Sequence, residues 1–495
     1  MGPTVTTLNE MLAMVVTRNA RKIAVLDDTT TVSYDSLEER IRMLAARLGK
    51  LGVRKGDPVA LLFPNSLDFV TTFFSIIRLG AVAVPLNSQY QLNDILYVLN
   101  ACGVSVLVTS SELAPLCQTS LLNYDRPCEL LLIDDHQFSE VQPAFLENLD
   151  IGIDPGAPVL YQFSSGSTGR PKRVARTHAN LLFELNGLID TLQLRQEDRI
   201  IGVAPFSHVN GLMRSMLASV GAGATLYPLP RFERRAVADM IEKHGISILI
   251  GVPFMFGTLA KTNFQRRPDF SSLRLCVSAS APLPAELNRR FQERFGIYVR
   301  QLYGSTETGS VSVNLSADID KTMESVGKPI GGIEVEVFTE NGEPALANEI
   351  GEVAVKSPAA IESYDGDDEL NKESFRGGYF MTGDLGRRNE DGLLYLVGRK
   401  KLFINKGGYK INPQEIELLL ATHPKVEEAV VVGLPTPYGD EKVKAVIVLN
   451  APCTEEEIIE HCRGKTADFK IPSLIEFRDE IPKTSTGKIR RENLV

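Results

Sequence analysis

Residues 58–84, PVALLFPNSLDFVTTFFSIIRLGAVAV, read in order as strand, helix and strand. The run 58–63 is short and unbroken in its apolar character, as expected of a strand buried on both faces. Residues 67–79 span about three helical turns and stop at Gly80. Residues 81–84 form a second short apolar run. Working outward, residues 36–51 place Leu37, Ile41, Leu44, Ala45, Leu48 and Leu51 on one helical face. Asp35 with Glu38 reads as a capping box before that helix, and Gly52 as its stop. Residues 94–101 and 104–108 repeat the helix–strand pair, and 200–204, 246–252, 273–277 and 298–303 are further strand candidates. Strands alternating with helices predict an α/β fold, largely parallel sheet with helices on its faces.

After about residue 325 the texture changes. Gly331-Gly332, Asn341-Gly342 and Asp391-Gly392 separate short runs such as 334–338 and 352–355, which predicts smaller antiparallel structure. A domain boundary is expected at 398–401, after the strand-like 393–397, dividing the chain into 1–397 and 398–495. The second part, with strands at 426–432 and 442–449 and a helix at 454–465, suits a small α+β unit.

The 495 residues exceed what one hydrophobic core usually holds. With 53 Lys+Arg against 62 Asp+Glu the net charge is −9, unlike the basic balance of a general nucleic-acid binder. The deficit is uneven: 37 basic and 47 acidic residues up to 398, then 16 and 15 from Arg399 onward. Six cysteines with no CxxC pair suggest neither a zinc nor a redox motif, and fit a reducing, cytoplasmic setting. The first residues lack the basic and long apolar regions of a signal peptide. The apolar stretch 69–86 is cut by Arg78, Gly80 and Pro85, so no membrane span is expected.

Five segments carry candidate chemistry. In 161–172, Ser164, Ser165, Gly166, Ser167, Thr168 and Gly169 lead to Lys172. Glycines expose backbone N–H groups, hydroxyls donate and Lys172 adds charge, which suits a polyphosphate; a polar surface turn has the same composition. The GxxxxGK[ST] spacing of a Walker A loop is missing. In 301–309, Tyr303 offers a ring to stack on a base, Gly304 a close backbone, Thr306 a hydroxyl and Glu307 a hard oxygen for Mg²⁺, at the end of a strand candidate. The same segment also reads as a β-turn with a solvated Glu. Asp384 stands between Gly383 and Gly386, where it suits ribose hydroxyls or simple turn chemistry. Arg399 opens the proposed boundary, with Gly407-Gly408 beyond it. Lys488 follows Gly487 on a small-residue loop near the end, and reads either as an inserted catalytic lysine or as a basic terminus.

Together and in this order, these segments resemble the adenylate-forming superfamily of acyl- and aryl-CoA synthetases, peptide-synthetase adenylation domains and beetle luciferases. The likeness covers nearly the whole chain and is strongest to acyl- and aryl-CoA synthetases. It implies a large N-terminal domain of stacked αβαβα subdomains with a small β-barrel-like part, and a small mobile C-terminal lid hinged at Lys401. It implies ATP, Mg²⁺ and coenzyme A. A carboxylate attacks the ATP α-phosphate to form acyl-AMP, and a thiol then displaces AMP. By resemblance Ser164 to Thr168 and Lys172 cradle the β- and γ-phosphates, Thr306 contacts the α-phosphate and Glu307 holds Mg²⁺. Ala279, Ser280, Ala281 and Tyr303 line the adenine site, and Asp384 binds ribose with Arg399 nearby. Lys488 serves the first half-reaction and the Gly408 loop the second.

The segment 205–212 resembles the part that enters the carboxylate pocket, with His208, Val209, Gly211 and Leu212, and with Val252, Ser278 and Gly304 as further walls. It contains no Asp to pair with a substrate ammonium, which argues against an α-amino acid. Residues 213–220 read as a mostly small or apolar pocket helix. Arg214 is the exception, facing solvent or pairing with a second carboxylate; solvent is the expectation, and with it an aliphatic or aromatic monocarboxylate. A malonate-like diacid is the alternative. The chain stops four residues after Arg491, so the thiol is expected in trans, as coenzyme A or a free carrier protein. A kinase or other NTPase, and a silent nucleotide-binding protein, are the competing classes.

Overall fold

The computed structural model describes residues 5–27, 30–133, 152–165, 171–406, 409–436, 441–484 and 489–495. The chain forms two compact units, Met1–Glu334 with Val355–Phe380, and Val335–Ala354 with Met381–Val495.

The first unit contains strands β1 (Ile23–Leu26), β2 (Thr31–Ser33), β3 (Pro58–Leu62), β4 (Val82–Leu86), β5 (Val106–Thr109), β6 (Glu129–Leu132), β7 (Pro158–Ser165), β8 (Pro171–Thr177), β9 (Arg199–Gly202), β10 (Thr225–Pro228), β11 (Ile248–Gly251), β12 (Leu275–Ser278), β13 (Val299–Ser305), β14 (Gly309–Val313) and β15 (Ser325–Pro329). One sheet runs β6-β5-β3-β4-β7-β8; the other follows β15-β14-β13-β12-β11-β9-β10-β1-β2. The pairs β3/β4, β3/β5, β9/β10, β9/β11, β11/β12 and β12/β13 are parallel, and β7/β8 and β13/β14 are antiparallel.

The helix Leu67–Arg78 is buried nearly all round, as its apolar sequence requires. It packs on β3 and β4 of one sheet. Its Phe69 meets Phe206, just past β9 of the other sheet, edge to face at 5.5 Å. This is the middle layer of the expected stack. The helix Tyr34–Lys50 starts two residues earlier than predicted. Its cap is Ser33, which accepts from the Ser36 N–H, rather than Asp35.

The second unit holds most of β16 (Glu334–Phe338), β17 (Gly351–Lys356) and β19 (Tyr379–Arg388) and all of β20 (Leu394–Arg399), neighbours in the order β16-β17-β19-β20; the two-residue β18 (Phe375–Arg376), in the first unit, pairs the start of β19. They lie as an open run, and no closed barrel forms among the described residues. Beyond them come the hairpin β21 (Ile404–Lys406) and β22 (Tyr409–Ile411), and the sheet β23 (Val426–Pro435), β24 (Glu441–Leu449) and β25 (Leu474–Arg478). Alternation splits β23 between two cores. Val431 packs with Ile416, Leu420 and Ile458, whereas Val430 and Val432 pack with Ile481 and Leu494 from the chain end. All six cysteines are free. Among the described residues no helix is long and apolar enough to cross a membrane.

The helix His178–Leu192 begins with a buried histidine whose Nδ1 accepts from the Leu8 N–H at 3.2 Å, tying down the N-terminal helix Leu8–Asn19. Burial pulls its pKa down to about 4, against a weaker opposing pull from Glu10. The native state therefore stays neutral at His178 while the unfolded chain takes up a proton. Stability is fully present above about pH 6.5 and is lost as pH falls towards 4. Urea midpoints are expected to fall between pH 7 and pH 5, and less steeply in His178→Gln; equal slopes in the two proteins would count against this role.

Candidate functional site

The segment after β9 is pinned by Asn65. Its amide donates to the Gly202 and Ala204 carbonyls at 3.0 and 2.9 Å, and its oxygen accepts from the Phe206 N–H at 2.8 Å. These bonds present His208 at the C-terminal ends of the parallel strands, the usual ligand edge of an open α/β sheet. His208 Nε2 lies 3.1 Å from the Asn87 amide nitrogen. With that NH₂ as donor, the ring proton sits on Nδ1. Burial lowers its pKa to about 4, so the imidazole is uncharged at neutral pH.

Residues Asn210–Leu217 then form a π-helix, every residue of it buried, running into the short helix Ala218–Gly221. Such wide turns cluster at functional sites. Gly211 is required at its start, because a Cβ there would stand 2.3 Å from the Ala204 and Pro205 carbonyl oxygens. Leu212, Val252 and Ser278 are buried and Val209 is half-buried.

The phosphate-loop candidate is an antiparallel hairpin. β7 and β8 pair Ser164 with Lys172 and Ser165 with Pro171. Gly166, Ser167, Thr168 and Gly169 lie outside the described residues, as does the Ser165 side chain. Lys172 Nζ lies 5.4 Å over the Tyr364 ring. Tyr364 Oη in turn donates to Glu307 Oε1 at 3.0 Å, and the Glu307 carbonyl accepts from the Ile361 N–H at 2.9 Å. Thr306, Glu307 and Thr308 form the turn between β13 and β14, closed by reciprocal Ser305–Thr308 bonds. Ala279, Ser280 and Ala281 follow β12. The Ala279 N–H donates to the Gly251 carbonyl, and Ser280 holds the left-handed conformation with φ 73°. Tyr303 is buried in β13.

Beneath this turn lies a buried charge cluster. Arg176 Nη2 donates to Glu184 Oε2 at 2.8 Å and Nη1 to the Thr306 carbonyl at 3.3 Å. Glu184 Oε1 accepts from both the N–H and the hydroxyl of Ser310, at 2.8 and 2.7 Å. Arg214 Nε donates to the same hydroxyl at 2.9 Å. Burial opposes ionisation of Glu184, but Arg176, Arg214 and Ser310 hold its carboxyl below the usual carboxylate range.

In the second unit, Asp384 and Arg399 face each other across β19 and β20, with Arg399 Nε donating to Asp384 Oδ1 at 2.7 Å. Lys400 pairs with Glu352 at 2.9 Å. Lys401 lies in the 3₁₀ turn Lys400–Leu402, its side chain outside the described set. Gly408 and Lys488 also fall outside the described residues. Lys483 and Ile489, on either side of Lys488, pair in an isolated antiparallel bridge.

The profile of the AMP-binding enzymes matches residues 12–365, and that of the AMP-binding enzyme C-terminal domain matches 415–488. The chain belongs to the AMP-binding enzyme family. It is 34% identical over 478 residues to the oxalate–CoA ligase of Arabidopsis thaliana, covering 93% of this chain and 92% of that one. It is 34% identical over 474 residues to the feruloyl-CoA synthase of an Amycolatopsis species, covering 94% of each. The crystal structure of ATP-bound MatB from Rhodopseudomonas palustris superposes with a TM-score of 0.89 at 26% identity, covering 99% of this chain and 98% of MatB. Within the family the chain is an AMP-forming acyl-CoA synthetase, an acid–thiol ligase.

The fold of this AMP-binding enzyme brings Lys172 and Glu307 onto one tyrosine that sequence reading missed. Tyr364 lies 57 residues beyond Glu307 in no recognisable motif. Arg176, Glu184 and Ser310 were missed as well. A signal for Glu184 existed: it shares a helical face with buried Leu181 and Leu188. The expectation that Arg214 faces solvent is corrected, since it is 1% exposed. The π-helix turns it inward, where burial lowers its pKa to about 10.

Removing Glu184 would leave two buried guanidiniums without their carboxylate. Glu184→Ala is expected to lose about 3–5 kcal/mol of stability by urea unfolding; a loss under about 1 kcal/mol would show the cluster to be unimportant to folding.

Proposed function

We propose that this enzyme joins a small carboxylic acid to coenzyme A in two steps on the residues described above. A carboxylate oxygen attacks the ATP α-phosphorus, the α–β phosphoanhydride bond breaks and pyrophosphate leaves. The coenzyme A sulfur then attacks the acyl carbon, the C–O bond to phosphate breaks and AMP leaves. The observation that carries this reading is the Lys172–Tyr364–Glu307 arrangement beside Thr306. It sets a cation, a hydroxyl and a carboxylate at one end of the sheet.

In this reading Lys172 and the hairpin loop with Ser164 to Gly169 take the β- and γ-phosphates, and Thr306 the α-phosphate. Ala279, Ser280, Ala281, Tyr303 and Gly304 receive adenine, and Asp384 with Arg399 the ribose. Glu307 is the group that fits Mg²⁺. Its Oε1 is fixed by Tyr364, and a single hard carboxylate oxygen suits an ion that keeps its remaining positions for water and phosphate. Mg²⁺, when bound, supplies positive charge to the phosphate oxygens. His208, being neutral, places the acid by shape and not by charge. Lys488 serves adenylation. The swivel at Lys401, between parts 1–397 and 398–495, brings the Gly408 loop to bear for thioester formation.

Apolar Val209, Leu212 and Val252 suit an aliphatic or aromatic body for the acid. The apolar walls suit a monocarboxylate, while the burial of Arg214 removes the expectation that this charge faces solvent. Coenzyme A is the proposed thiol, since the named relatives are CoA ligases.

Acid-dependent pyrophosphate exchange over a panel of acids tests the reading, with AMP and pyrophosphate as the expected products; ADP would instead indicate phosphoryl transfer. Lys488→Ala is expected to slow adenylation at least about 100-fold, the scale of one electrostatic donor. Thioester formation from supplied acyl-AMP should be far less affected, and equal losses in both halves would refute the assignment. Tyr364→Phe, which frees Glu307 Oε1, is expected to raise the Mg²⁺ concentration needed for half-maximal exchange several-fold; an unchanged Mg²⁺ dependence would separate Tyr364 from the metal.

A further inference from the structure

Arg176 and Arg214 are the two largest fully buried side chains among the described residues. Their cluster contains two guanidiniums and one carboxylate, a net charge of +1. Arg176 takes the direct contact with Glu184. Arg214 reaches Glu184 only through the Ser310 hydroxyl, and its Nη1 lies 3.3 Å from the Asn210 side-chain oxygen. Its remaining nitrogen, Nη2, is buried without a partner among the described residues. A buried guanidinium with an idle donor is costly unless an acceptor completes it, and the +1 charge of the cluster favours an anionic one.

The surroundings of Nη2 point to the acid pocket. Asn210, which holds Nη1, also donates to the carbonyl of Gly251 at the end of β11. Gly251 stands in register with Ser278 at the end of β12, and the Ser278 hydroxyl is likewise buried without a partner. Nη2 itself lies 3.0 Å from where a Cβ would stand at Gly304, near the end of β13. Two idle polar groups thus gather at the C-terminal edge of three adjacent strands, where an open α/β sheet binds its ligand.

We propose that Arg214 Nη2 binds a second, non-reacting carboxylate of the substrate, so that the enzyme selects dicarboxylic acids. The proposal rests on the ligase reading above. The substrate's reacting carboxylate goes to ATP, and its other end neutralises the +1 cluster, with the Ser278 hydroxyl available as a further donor. A guanidinium holds three nitrogens in one fixed plane; here Nε is spent on Ser310, Nη1 on Asn210, and Nη2 is left for the acid.

The test uses the wild-type protein first. Short straight-chain dicarboxylic acids are compared in pyrophosphate exchange and coenzyme A ligation with their monomethyl esters and with monoacids of the same length. The diacid is expected to exceed its half-ester by at least about 100-fold in kcat/KM, because a site built for a polar group rejects the analogue that lacks it. In Arg214→Leu the ratio of diacid to monoacid kcat/KM is expected to fall about 100-fold. Half-esters used as well as diacids, or a variant that leaves the ratio unchanged, would overturn the proposal. The half-ester comparison stands even where the variant fails to fold. Exchange with monoacids alone sinks the proposal and keeps the ligase reading, whereas no exchange with any acid sinks both.

Discussion

A buried carboxylate must have both oxygens answered, and Glu184 imposes that condition on three other pieces of chain. Its partners are Arg176 on β8, Ser310 on β14 and, through Ser310, Arg214 on the π-helix. β8 belongs to one sheet of the first unit and β14 to the other. The cluster therefore fastens both sheets together at the level of the candidate site. Arg176 also bonds the Thr306 carbonyl, so the turn that carries Thr306 and Glu307 is set by the same charges. In so dry a place a partly satisfied network costs more than an apolar core would, which ties the position of the site to the completeness of the cluster.

The same economy shows at Tyr364. Its ring belongs to a small core with Val174, Ile361 and Phe380, while its hydroxyl reaches Glu307 and its face receives Lys172. One side chain converts apolar packing into the placement of two charged groups of opposite sign. Asn65 acts likewise on the acid side, where three hydrogen bonds to backbone hold the approach to His208. Both residues stand outside the motifs they serve.

Much of the fold was legible because burial imposes a period. The runs at 58–63, 81–84 and 334–338 became β3, β4 and β16 with at most small shifts of their ends. The helix at 67–79 became Leu67–Arg78, and 426–432 became the first part of a longer β23. What failed was local geometry that depends on neighbours. The cap moved from Asp35 to Ser33 because the strand before the helix ends there. The pocket helix began three residues earlier and as a π-helix, because Gly211 packs directly on the Ala204 and Pro205 carbonyls. That widened turn carried Arg214 inward.

By itself the sequence determined the layered α/β class, the order of the motifs and the family, because periodicity and local residue chemistry are written within a few residues of one another. It could not determine which charges would be buried together. Arg176 and Glu184 are eight residues apart, and Ser310 lies 126 residues beyond Glu184. Whether each faces solvent or another charge depends on two sheets meeting. Only tertiary packing, which removes water and leaves each charge to find its partner, decided that Arg214 is buried with one donor unpaired among the described residues.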